Sequence, residues 1–344
     1  MTRKLILAAS LASVAGGALW LLRPAGPPPE EAYVGEREVI AWSRLAQVRE
    51  AAAVLRYGER VGVLARRAGQ AQIRTGQGSE GWVEARYLMD AAVWRRGEAL
   101  RAETRAFPVQ ATAHTRVLTN VRTEPGRSSP RLFQFERDVA VEILRRAVAG
   151  WTPPAEEKPA LEREAESPAA SAGDPPFPSA RAGETTEAEK TRSEDWLLVR
   201  ARVENAGEIT GWVLGRFLEP QMPDPLRDLG AGIRFLAWFE LFRIPDIEGP
   251  KGQYLAAGVT GAEGQPCDFT LIRYYTWNAK RRRYETAMVE SNFCASLPLR
   301  VTPATLPQNE ARFEFAARSR RATQEVRVYT VRQNVVSRIR ASRP

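Results

Sequence analysis

One histidine and two cysteines are all the chain offers to the commonest catalytic and metal chemistries. His114 stands far in sequence from Cys267 and Cys294. A cysteine nucleophile needs a base beside it, and a hydrolytic triad needs a histidine. A transition-metal site draws on several His or Cys ligands. No Gly-x-Ser-x-Gly elbow or phosphate loop occurs, and the Gly-x-Gly-x-x-Gly run from Gly76 to Gly81 reads as a turn into the Trp82 strand, without the helix that a dinucleotide fingerprint opens. The expectation is therefore a non-catalytic protein with no metal and no cofactor. A hydrolase built on two carboxylates would need two acids facing one cleft, which no motif specifies.

Chemistry of recognition is better represented. Gly81-Trp82-Val83-Glu84-Ala85-Arg86-Tyr87-Leu88 and Gly211-Trp212-Val213-Leu214-Gly215-Arg216-Phe217-Leu218 share Gly-Trp-Val, then Arg, an aromatic and Leu in register. Glycine admits the chain where a side chain would clash, and tryptophan brings a large apolar area to a small core. Arg86 and Arg216 lie an even number of steps past their tryptophans, so on a strand they share its face and a cation–π contact is open to them. Trp82, Arg86, Trp212 and Arg216 are the candidate binding residues. The plainer reading is that both rings are core residues, with ligand contact by an exposed ring edge as the alternative.

Lys280-Arg281-Arg282-Arg283 forms a second candidate, flanked by Tyr274, Tyr275, Trp277 and Tyr284. Basic residues interleaved with aromatics suit nucleic acid. The plainer reading is a charged hairpin tip. Arginines from Arg318 to Arg343 offer a further basic surface for anionic lipid, cell wall or an acidic segment of the chain.

The N-terminus argues for export. Arg3 and Lys4 precede an apolar run from Leu5 to Leu22, closed by Arg23-Pro24. Basic residues before such a run hold that end in the cytoplasm and send the rest across the membrane. Residues 1–23 are a signal peptide or a membrane anchor. The periplasm or cell envelope is the expected location, where an exported protein rarely meets nucleic acid. The expected partner is a cell-wall or envelope protein ligand.

The elements that carry these residues read as short strands between turns, a mainly β pattern. A linker over 24–35 leads to a first repeat at 36–90, whose opening from Val39 to Leu55 also has helical spacing. Ala91 to Ala106 reads as a connecting helix, within a linker over 91–108 that Phe107-Pro108 ends. A second repeat spans 109–220 and is interrupted at 152–194. That insertion is rich in Pro, Glu, Ala and Ser, and such a composition predicts disorder. From Thr152 to Asp195 there are eleven acidic and five basic residues, so a total of +9 leaves the rest of the chain near +15. A linker at 221–229 precedes an all-β region at 230–344, with enough strand candidates for a sandwich.

Within that region a hairpin turning over Asn278 to Arg283 sets Trp277 opposite Tyr284. Cys267 and Cys294 each lie ten residues from that pair, which places them opposite one another. In an oxidising compartment they are expected to form a disulfide; two buried thiols are the alternative.

The second repeat resembles the bacterial SH3-like domain family. Asn120-Val121-Arg122 followed by Glu124-Pro125, the Phe135 to Leu144 turn and strand, Trp196 to Arg200, and Gly211-Trp212-Val213 ending at Phe217-Leu218 carry the resemblance. It implies a small barrel in each repeat, the two joined by the helix and followed by the C-terminal β domain. The first repeat lacks Asn-Val-Arg, with only Gln47-Val48-Arg49 nearby. Related exported domains bind cell-wall peptides. Two functions follow. Either the repeats recognise peptidoglycan or a protein strand, or they are spacers that present the C-terminal β domain.

Overall fold

The computed structural model describes residues 29–151, 192–304, 310–318, 324–332 and 335–339. The apolar run at 5–22 and the insertion at 152–191 lie outside them. Among the described residues no helix is long and apolar enough to cross a membrane. The chain is mainly β, with three antiparallel seven-stranded sheets, and divides into two compact units at Ala91.

The first unit holds β1 (Glu30–Val34), β2 (Glu38–Trp42), β3 (Ala51–Arg56), β4 (Arg60–Arg67), β5 (Gln70–Thr75), β6 (Glu80–Glu84) and β7 (Leu88–Asp90). Their order in the sheet is β3-β2-β6-β5-β4-β1-β7. Alternation along each strand builds the core. On β5, Ala71 and Ile73 are buried while Gln72 and Arg74 turn outward. Small and β-branched residues from six strands meet there, among them Ala32, Val39, Ala41, Val61, Ile73 and Val83. Residues 30–34, expected as linker, are a strand because Ala32 and Val34 face this core. The ambiguous stretch from Val39 to Leu55 is the β2–β3 hairpin. Val39 and Leu55 pair directly and both point inward, so the two-residue period prevails over the helical one.

Helix α1 (Ala91–Thr104) starts at the boundary and leads into the second unit, which begins at Ala92. The unit continues with β8 (Ala111–Thr115), β9 (Thr119–Arg122), β10 (Arg131–Phe135), β11 (Ala140–Trp151), β12 (Arg192–Val203), β13 (Gly207–Leu214) and β14 (Leu218–Pro220). The order β10-β9-β13-β12-β11-β8-β14 repeats that of the first sheet, strand for strand. The register repeats as well. Leu198 faces Trp212 where Gln72 faces Trp82, and a bulge follows Ile143 where one follows Val63. β12 begins at Arg192, so the last three residues of the expected insertion are strand. Helix α1 is packed rather than free: Leu100 joins Leu144 and Leu198 in one buried cluster.

After α2 (Asp224–Leu229) come β15 (Ile233–Ile244), β16 (Lys251–Thr260), β17 (Phe269–Asn278), β18 (Arg283–Thr302), β19 (Glu310–Arg318), β20 (Gln324–Arg332) and β21 (Val335–Ile339). They pair in chain order as a single meander, where two sheets were expected. Two of the expected strands, Tyr284–Glu290 and Leu297–Val301, are parts of the one long strand β18. The register shift between Ser296 and Arg300 contains Pro298, which has no N–H for the ladder. One core takes residues from β15 to β20, including Leu241, Tyr274, Leu299, Phe313 and Tyr329.

Gln110 and Arg146 join this meander to the second sheet. The Trp238 amide donates to the Gln110 carbonyl at 2.9 Å, and the Leu299 amide to Gln110 Oε1 at 2.8 Å. Arg146 donates to Asp268 on one side and Asp195 on the other, at 3.0 and 2.5 Å.

Candidate functional site

The two Gly-Trp-Val stretches form equivalent strands with the tryptophans on the outer face. Val83 and Val213 are buried and point inward, as do Gly81 and Gly211. Trp82 and Trp212, one residue along, are half-buried. The glycines face the strand that crosses them. A Cβ on Gly211 would lie 2.5 Å from Val121 Cγ1 and 2.8 Å from the Arg122 carbonyl oxygen; one on Gly81 would lie 3.0 Å from Ala41 Cβ. The motif therefore marks where β6 pairs with β2 and β13 with β9.

The arginines do not share the tryptophan face. Both strands end at residue 84 or 214, and a 3-10 turn (Ala85–Tyr87, Gly215–Phe217) carries Arg86 and Arg216. The strand period expected from the sequence stops before it reaches them. Arg86 pairs with Glu84 and lies 5.2 Å from the Tyr87 ring centroid. Arg216 pairs with buried Glu194, which Arg127 also holds at 2.7 Å. Arg122 lies near them, its guanidinium held below its ordinary value by burial and by Arg131 and Arg127.

Outside the tryptophans the two repeats diverge. In the second, Trp212 faces Arg122 across the strand pair and packs against the Leu100–Leu144–Leu198 cluster, with Phe107 and Val109. Gln134 donates to Asn120 at 3.0 Å beside it. In the first, Trp82 faces Trp42, and the equivalents of Asn120 and Gln134 are Ile40 and Val54, opposed on β2 and β3. Ile40 is 39% and Val54 55% exposed, which makes this face an apolar patch. Arg49 reaches back over the Trp42 ring at 4.2 Å. So Ile40-Ala41-Trp42 occupies the Asn-Val-Arg position, and Gln47-Val48-Arg49 lies in the β2–β3 connection. Ile40, Trp42 and Val54 were not singled out in the sequence, and Arg49 was named only within Gln47-Val48-Arg49. The signal available was the out-facing apolar pair flanking Ala41 on a strand whose core face was already supplied.

The basic turn is partly offset by two carboxylates. Arg281 and Arg283 both donate to Glu285 at 3.0 Å, and Arg282 pairs with Glu248. Hydrogen bonds from Asn278, Arg281 and Arg283 hold the Glu285 carboxyl down at about 2. Lys280 sits in the same exposed turn. Among the described residues no group of three or more His, Cys, Asp or Glu is placed to hold a metal.

Cys267 and Cys294 form a disulfide with Cα atoms 5.1 Å apart. The hairpin starts in the expected register, Trp277 opposite Tyr284, but two shifts follow, and Phe269 faces Ala295. Cys267 lies just before β17, and the bridge spans a diagonal rather than a direct pair. It fastens the loop that brings Gln265, Cys267 and Asp268 to Arg146, which donates to both backbone carbonyls and to the carboxylate. Burial pushes the Asp268 carboxyl up, against the Leu297 amide and Arg146, which pull it down.

No family model and no curated protein matches the chain. Among solved structures, NlpC2 from Trichomonas vaginalis aligns over 91% of this chain and 97% of its own, at 10% identity and a TM-score of 0.17. NlpC1 from the same organism aligns over 76% and 88%, at 9% identity and a TM-score of 0.17.

Proposed function

We propose that the chain is a non-catalytic binding protein of the cell envelope, exported by its N-terminal segment, with two SH3-like repeats of unequal role. The first recognises peptidoglycan or a protein strand through the face bearing Trp82, Trp42, Ile40 and Val54. The second is a spacer that carries the C-terminal meander. One observation supports this division above the others. Two sheets with the same strand order and register carry the same half-buried tryptophan, on the face of the exposed Ile40 and Val54 in one repeat and packed on the Leu100–Leu144–Leu198 cluster in the other.

A half-exposed indole beside a second indole and a stacked guanidinium gives flat apolar area with a charged rim, the composition of binding hot spots. Sedimentation of the full chain with isolated peptidoglycan tests the reading. The wild-type chain is expected in the pellet and Trp82→Ala in the supernatant. A wild-type chain that stays in the supernatant removes peptidoglycan as the ligand, and capture of an envelope protein that Trp82→Ala abolishes would then support the protein-strand form.

A further inference from the structure

A cleft of about 840 Å³ lies in the second unit, between the β14–α2 segment and the outer face of β15–β16. Trp238, Tyr254, Glu240, Glu219, Arg227 and Thr112 line it. Trp238 and Glu240 are two steps apart on β15, and Tyr254 pairs with Glu240 across the ladder, so the three share one face. Gly252 leaves them room, since a Cβ there would lie 2.6 Å from the Tyr254 hydroxyl and 2.9 Å from Glu240 Oε2. Thr112 and Gln221 also line a second cleft of about 500 Å³, so the two adjoin as one track.

Among the described residues most of the charges along this track already have partners, Arg202 and Glu208 in the second cleft excepted. Glu240 is held by Arg243 at 2.5 Å, Glu219 by Arg116 at 3.2 Å, and Arg227 by Asp224 at 3.4 Å. In the adjoining cleft Arg200 and Glu142 are 2.7 Å apart. An ionic ligand would have to compete with these pairs. A neutral ligand rich in hydroxyls needs no such exchange, because a paired carboxylate keeps lone pairs and the rings supply apolar surface. A peptide adding as a strand is poorly served. The Trp238 amide is committed to Gln110, and Pro220 on β14 has no N–H to give.

We propose that this track binds a neutral oligosaccharide of several units, with Trp238 and Tyr254 as the apolar platform and Glu240 and Glu219 as hydroxyl acceptors. It is a site separate from the Trp82 face and does not depend on it. The test is a titration of the full chain with a neutral oligosaccharide that is not part of peptidoglycan, a β-1,4-linked glucose tetramer, followed by tryptophan fluorescence and by calorimetry. Saturable binding is expected. Trp238→Ala is expected to abolish it, and Glu240→Gln to weaken it about tenfold, the scale of one hydrogen bond to a charged group. Far-UV circular dichroism identifies a variant that fails to fold, and Trp238→Phe, which keeps an aromatic platform, should retain part of the affinity. No binding by the wild-type chain, or equal binding by Trp238→Ala and Glu240→Gln, overturns the proposal. So does a Pro-rich peptide that binds in a Trp238-dependent manner where the tetramer does not. The readout is oligosaccharide binding alone, so loss of peptidoglycan sedimentation in Trp82→Ala leaves it standing.

Discussion

At Gly211 there is no space for a methyl group, because both a side chain and a carbonyl of β9 lie within 3 Å of where it would sit. Gly211→Ala is expected to destabilise the second unit by about 1–3 kcal/mol, the usual range for overpacking. Gly81→Ala meets its nearest neighbours at 3.0 and 3.2 Å and should cost less. Urea denaturation of the two variants checks the order, and a larger loss at Gly81 contradicts it. The glycine's role was legible in the sequence, since a Gly preceding Trp-Val twice implies a backbone constraint. The tryptophan's direction was not, because facing in or out depends on which neighbour starts the alternation. Glu285 offers a test by pH. Its three donors favour the ionised form, so its carboxyl should titrate near 2 by NMR, against an ordinary 4.5. Their contribution to stability is present above 4.5 and is lost as pH falls through 2. In Arg281→Gln/Arg283→Gln the midpoint should rise toward 4.5; an unchanged midpoint would show that these hydrogen bonds are not formed in solution.

Among the elements, the 261–268 loop and the β11–β12 hairpin are joined by charge at the place where the disulfide fixes the loop. Arg146 and Asp268 are 122 residues apart, and no local pattern announces such a contact. The two cysteines, by contrast, were legible through one hairpin and its register. The bulges that broke the register were not, since a bulge replaces no residue type that a sequence displays. Arg146→Met leaves Asp195 and Asp268 buried without their shared partner and should cost about 3–5 kcal/mol. Cys267→Ser/Cys294→Ser should cost about 2–4 kcal/mol. Because both changes release the same loop, their combination should cost less than the two added together. Full additivity in denaturant titrations would show that the bridge and the ion pairs act independently.

For the whole molecule, composition and strand spacing identified a mainly β chain, and the shared octapeptide identified its internal repeat. Equal strand order in two sheets is what that repeat amounts to in three dimensions. What the sequence did not show is the asymmetry. Leu198 stands where Gln72 stands in the first repeat, and a single apolar residue on an outer face gives no notice of the helix that will cover it. The third sheet was also misjudged, because one 20-residue strand crossing a proline reads as two. The proposed division of labour rests on that asymmetry, and a paired measurement on Trp82→Ala and Trp212→Ala tests it most directly. Each variant is sedimented with peptidoglycan, or with the captured partner, and unfolded in urea. Trp82→Ala should lose binding while its stability falls by less than about 1 kcal/mol, whereas Trp212→Ala should keep binding and lose more, about 1–3 kcal/mol, because its half-buried ring packs on the Leu100–Leu144–Leu198 cluster. The reverse pattern, with binding lost at Trp212 and retained at Trp82, would contradict the account.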